Sequence, residues 1–172
     1  MATTSTSSRP LVGILFIVAG ALALLVLLLA YVAPGAPISW LGLLTDLALG
    51  VAFLLMGLSK SMNTLERVAF IVGAVGWLLL ALNGLVAIGA LVTVAIILAL
   101  VGSLAAGILV WIHSTFTRRT NLWFLIAMII AAIFLLNALL PFATGAIDTV
   151  LVLLFGAALV VAGFFILPPQ VP

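Results

Sequence analysis

The chain has 172 residues, 68% of them hydrophobic and 5% charged, with a mean hydropathy of +1.64. A soluble domain carries about 25% charged residues, so this sequence cannot build a surface for water, and lipid must be its solvent. Five Lys and Arg against three acids leave a net charge of +2, too few cations for a nucleic-acid patch, and the lack of Cys removes disulfides, thiolate metal sites and cysteine nucleophiles.

Residues 1–10 are small, polar and rich in Ser and Thr, and read as a disordered tail. The first apolar run covers 11–32 and ends at Pro34-Gly35-Ala36-Pro37, a turn that cannot continue a helix. The second covers 40–58 and gives way to the polar loop around Lys60, Glu66 and Arg67. The third covers 68–86, with a weak break near 84–90 before the fourth, 91–112. A second polar loop, 113–121, holds Arg118 and Arg119. The fifth run covers 122–140 and stops at Pro141; the sixth covers 149–167 and is followed by a short tail, 168–172. About 20 apolar residues cross roughly 30 Å of hydrocarbon as a helix. The runs are continuous rather than alternating, which predicts helices and not a transmembrane barrel. The expected fold is therefore all-α: a polytopic integral membrane bundle of six transmembrane helices over 11–167, arranged as three hairpins.

The cations test the doubtful turn between runs three and four. With six crossings Arg9, Lys60, Arg67, Arg118 and Arg119 all fall on one face, and the other face carries none. Five crossings would split them. The positive-inside rule makes the charged face cytoplasmic, with both termini on it, and makes Lys60, Arg67, Arg118 and Arg119 topology anchors. The first run exceeds the 7–15 apolar residues typical of a signal peptide, so it reads as a retained helix.

Glycines recur at heptad spacing: Gly13-x6-Gly20 in run one, Gly50-x6-Gly57 in run two and Gly156-x6-Gly163 in run six. Seven residues is nearly two helical turns, so each pair shares a face and lets helix backbones approach closely. Such faces serve packing inside the bundle, or contact with a second copy or another membrane protein. Runs three and five each carry an Asn near their outer end, Asn83 and Asn137. The stretches from Pro34 and from Pro141 look related, as if the hairpins derived from one unit. This layout resembles the HdeD-like family of bacterial six-helix membrane proteins, through Gly13-Ile14-Leu15-Phe16-Ile17-Val18, Pro141-Phe142-Ala143-Thr144-Gly145 and the Gly156–Gly163 pair. The middle hairpin departs from the pattern, lacking a Pro after run three. The resemblance implies a stress- or acid-resistance-related protein of a prokaryotic plasma membrane, and carries over no catalytic or ligand residues.

Few polar groups sit within the runs. Asp46 lies roughly 9 Å along the helix from Trp40. An intramembrane acid serves a proton or ion path, or else it occupies the first turn of a helix beginning near residues 42–45, where the dipole favours it. Asp148 reads as an N-cap of the sixth helix. Asn83 and Asn137 hold helices together or line an outer vestibule. His113 closes the fourth helix and is a candidate pH-sensitive residue, because imidazole changes charge near neutrality. Trp40, Trp111 and Trp123 lie near run ends and suit an interfacial belt, whereas Trp77 lies mid-run and is expected to pack inside. A single His and no paired carboxylates at helical spacing leave no ingredients for an enzyme, a metal site or a cofactor site. The reading is a non-enzymatic integral protein with a structural or partner-binding role, with a small transporter or channel using Asp46 as the alternative.

Overall fold

The computed structural model describes residues 8–35, 37–60, 62–86, 89–142 and 144–167. Among these residues the chain forms six helices: α1 (Ser8–Val32), α2 (Ser39–Gly57), α3 (Thr64–Val86), α4 (Gly89–His113), α5 (Arg118–Leu139) and α6 (Ala146–Ile166). All six are long and apolar enough to cross a membrane. Their C-terminal ends agree with the apolar runs to within a residue, but their N-terminal ends start one to four residues earlier. The polar stretches before the runs form the first helical turns. Thr64 to Arg67 open α3, and Arg118 to Asn121 open α5 behind the N-cap Thr117, whose hydroxyl accepts from Thr120 N at 3.3 Å. Pro10 sits in the first turn of α1, where a missing N–H costs nothing. Of the tail expected over 1–10, residues 8–10 open α1 instead, while 1–7, the second tail at 168–172, Ala143 and residues 87–88 between α3 and α4 lie outside the described residues.

Each helix packs on the helices before and after it in the chain, and α6 packs on α1, so the bundle closes into a ring. The closing seam is the meeting of two heptad glycine pairs. A Cβ added at Gly13 would lie 2.9 Å from Gly163 O, and one at Gly156 would lie 3.0 Å from Gly20 O. Gly13 opposes Gly163 and Gly20 opposes Gly156, so α1 and α6 run antiparallel with backbones touching. Gly50 and Gly57 face Leu78 and Ile71 of α3. The glycine faces are thus used within the ring. The tightest seam lies elsewhere, between α3 and α4, where Gly76 abuts the backbone of Ala99 and Gly102 that of Gly73.

Side chains fill the axis at two levels. Phe16, Phe53, Phe70 and Phe124, all 0% exposed, come from α1, α2, α3 and α5. Their rings form a closed circuit, with centroids 6.1 Å (Phe16–Phe53), 5.3 Å (Phe53–Phe70), 5.8 Å (Phe70–Phe124) and 5.8 Å (Phe124–Phe16) apart. Roughly 10 Å further along α3, Trp77 stacks on Phe155 of α6 at 6.2 Å, and Phe155 on Phe134 of α5 at 4.7 Å. The buried Trp77 indole donates to Ser103 Oγ of α4 at 3.1 Å, which satisfies its polar atom inside the bundle. Trp40 and Trp111 are exposed as expected of interfacial residues, and Trp123 stacks on Phe165 at 6.0 Å.

Candidate functional site

The polar side chains gather at the two ends of the ring. At the end that holds the cations, the start of α3 is a reciprocal cap. Glu66 N donates to Asn63 Oδ1 at 2.9 Å, and Asn63 N donates to Glu66 Oε2 at 3.0 Å. This arrangement satisfies two of the backbone donors that a helix start leaves over. Glu66 is only 2% exposed, and a carboxylate so withdrawn from water must be paired. Its second oxygen, Oε1, accepts from the Thr115 hydroxyl and lies 3.5 Å from His113 Nδ1. His113 Nδ1 is also 2.8 Å from Asn63 Nδ2. Four side chains from the start of α3 and the end of α4 thus form one cluster.

The backbone after α4 delivers Thr115 to it. Ser114 adopts φ 52°, and Thr115 N reaches back to Val110 O at 3.4 Å, the left-handed helix ending that usually employs Gly. Asn121 then clamps the next residue, accepting from Phe116 N at 3.0 Å and donating to Phe116 O at 3.2 Å. Arg9 of α1 lies over the Phe116 ring, 5.4 Å from its centroid. A cavity of about 350 Å³ lined by Trp111, Ser114, Arg118 and Asn121 opens beside the clamp. Lys60 is exposed, while Arg67 Nε is buried without a hydrogen-bond partner among the described residues. Thr120 donates to Phe165 O of α6 at 2.9 Å, tying the start of α5 to the last helix at this same end.

At the opposite end, Asn137 ties α5 to the start of α6. Its Nδ2 donates to Asp148 Oδ1 at 3.0 Å, and its Oδ1 accepts from Phe142 N at 3.1 Å. Asp148 is not the N-cap that the sequence suggested. Gly145 occupies that position with φ 59°, and Asp148 falls in the first turn, where its charge still suits the helix dipole. The cap moved because Gly145 can take the left-handed backbone that brings the chain sharply into the helix. Tyr31 of α1 and Thr149 of α6 share a hydrogen bond of 3.1 Å beside Asp148.

Asp46 is not a first-turn residue: α2 begins at Ser39, and its first turn holds no acid. Asp46 is half-buried, four residues before Gly50 on the face turned to α3, and no hydrogen bond to it occurs among the described residues. Asn83 lies seven residues after Gly76, on the face of α3 turned to α4, and its Oδ1 is buried with no hydrogen-bond partner among the described residues. Asn137 is joined to an acid, but to Asp148 rather than Asp46, and no hydrogen bond links Asp46 to Asn83 among the described residues.

Sequence reading missed the Glu66 cluster. Half of it carried a signal: Asn63 followed three residues later by Glu66 ahead of an apolar run is a capping pattern. The other half lies about fifty positions away: His113 stood out as pH-sensitive, but nothing in the sequence paired it or Thr115 with Glu66.

No protein-family model matches the chain, and no curated protein or solved structure is similar enough to it to show a relationship.

Proposed function

We propose that this chain is a non-enzymatic integral membrane protein that acts structurally, as a packed helical element of the bilayer or the holder of a membrane-protein partner. In this reading it crosses the plasma membrane of a prokaryote six times as three hairpins, with both termini cytoplasmic. The observation that carries the reading is the filled axis: the Phe16–Phe53–Phe70–Phe124 circuit and the Trp77–Phe155–Phe134 stack occupy the space that a solute path would need. The orientation rests on the clustering of Arg9, Lys60, Arg67, Arg118 and Arg119 in the segments that meet at one end. The HdeD-like resemblance adds a stress or acid-resistance setting. The test is proton and ion flux in proteoliposomes. Wild type should leak no faster than empty vesicles, and a flux above that background would overturn the reading.

A second reading, a small transporter or channel for protons or a small solute, is favoured by one observation. Asp46 is a carboxylate within a transmembrane-length helix, without a hydrogen-bonding partner among the described residues, and bare intramembrane acids are costly unless used. On this reading wild type conducts and Asp46→Asn does not. Identical traces for wild type, Asp46→Asn and empty vesicles would eliminate it.

A further inference from the structure

The Glu66 cluster offers His113 Nδ1 a donor, Asn63 Nδ2, and an acceptor, Glu66 Oε1. Asn63 Oδ1 is committed to the Glu66 backbone N–H at 2.9 Å, so the orientation of the amide is set. The atom that it turns to His113 Nδ1, 2.8 Å away, is therefore Nδ2. An amide nitrogen offers only protons, so Nδ1 must accept. The geometry at the Asn63 contact fits a neutral ring with its proton on Nε2. A proton on Nδ1 would set donor against donor at the Asn63 contact. The acceptor for that proton is already in place, because Glu66 Oε1 stands 3.5 Å from the same nitrogen.

We propose that His113 is a proton-operated selector between two partners: neutral, it accepts from Asn63; protonated, it releases Asn63 and donates from Nδ1 to Glu66 Oε1. The proton comes from water at the cation-bearing end of the bundle, where the His113 side chain is 37% exposed on the protein surface. The step makes one Nδ1–H bond and breaks one O–H bond of hydronium, leaving water; otherwise only hydrogen bonds change. Glu66 Oε1 is the oxygen that the Thr115 hydroxyl uses in the neutral state. Both hydrogen bonds end on the carboxylate, but the protonated ring adds the attraction of an opposite charge that the hydroxyl lacks. Protonation thus shifts Glu66 from Thr115 towards His113, and loosens the hold of α3 on the connection between α4 and α5.

Among the described residues Glu66 is the acid that faces the ring. α3 offers Glu66 and Arg67, α5 offers Arg118 and Arg119, the α2–α3 connection offers Lys60, and α1 offers Arg9 above Phe116, next to Thr115. The other two acids, Asp46 and Asp148, lie towards the opposite end. A sixth positive charge here is accommodated by the one carboxylate already turned towards it. The inference stands independently of the structural reading above, and of whether the chain conducts.

His113 is the only histidine of the chain, so histidine labelled with nitrogen-15 reports it without ambiguity. Solid-state NMR of the labelled protein in lipid bilayers, recorded on both sides of the ring's titration, tests the selector. On the alkaline side Nδ1 should be the bare nitrogen, with a through-space contact to the Asn63 side-chain amide. On the acidic side that contact should be lost and one between Nδ1–H and the Glu66 carboxylate should appear. Asn63→Ala should remove the first contact and keep the second, while Glu66→Gln should keep the first and remove the second. Wild type carries the test should either variant fail to fold. A neutral ring protonated on Nδ1, or an Asn63 contact that persists in the acidic form, would overturn the proposal.

Discussion

Glu66 shows how a single carboxylate organises one end of the ring. Burial of an unpaired charge is prohibitive, yet this side chain is 2% exposed. It is tolerated because it closes a helix start and ties two loops at once, through Asn63 N and the Thr115 hydroxyl. Removing the reciprocal cap is therefore expected to cost more than a surface change. Asn63→Ala should lower stability by about 1 kcal/mol, read as an earlier unfolding transition in detergent or lipid. Trp77 makes a similar argument deeper in the bundle. Ser103→Ala strands its indole N–H and should cost roughly 0.6 kcal/mol, the average for interhelical hydrogen bonds in membranes, while Ser103→Thr, which keeps the hydroxyl, should cost less if its extra methyl fits. At this scale the sequence was only partly legible. The burial of Trp77 could be read from its mid-run position, and the interfacial places of Trp40 and Trp111 from the run ends. The position of Asp46 stood between two readings, within a helix from about Trp40 or in the first turn of one beginning near 42–45, and the start of α2 at Ser39 removes the second.

Between elements, small residues decide which helices touch. Without a hydrophobic drive between helices in lipid, close approach of backbones supplies the packing. At Gly102 an added Cβ runs into the backbone of Gly73, and at Gly20 it meets Val160 Cγ2 at 2.8 Å. Backbone cannot move aside as a flexible side chain can. Gly102→Val should destabilise the α3–α4 seam by about 1–3 kcal/mol, the usual cost of overpacking, whereas Gly42→Ala, with nothing within 4 Å of the added atom, should be neutral or slightly stabilising. Thermal unfolding of the two variants side by side checks the contrast. The heptad glycines of α1, α2 and α6 were visible as pairs, but sequence spacing gives a face and not its partner. That Gly13–Gly20 meets Gly156–Gly163 required the ring to close. The α3–α4 seam escaped notice because Gly73 and Gly76 are three apart rather than seven.

At the scale of the whole molecule, six helices of membrane-spanning length close into a ring, and its interior is packed by aromatic side chains rather than left open. The number of helices was legible because apolar length and the polar loops agreed. The doubtful join after Val86 was decided by charge, and α4 does begin anew at Gly89. The aromatic circuit was not legible: Phe16, Phe53, Phe70 and Phe124 are scattered along the chain, and nothing in their spacing announces that four helices bring them together. Nor was a molecular activity legible, since packing and topology account for most of the residues that sequence reading could single out. The central claim is that an even number of crossings puts every cation on the cytoplasmic side, and the lack of Cys in the chain makes it testable without a background. Single cysteines placed at Ser59, Ser114, Pro37 and Phe142 leave all five cations in place, and each is probed with a membrane-impermeant thiol reagent in intact and in opened cells. The account predicts that Pro37→Cys and Phe142→Cys react in intact cells, while Ser59→Cys and Ser114→Cys react only once the cytoplasm is opened. Labelling of Ser59→Cys and Ser114→Cys from opposite sides, or of either one in intact cells, would contradict it.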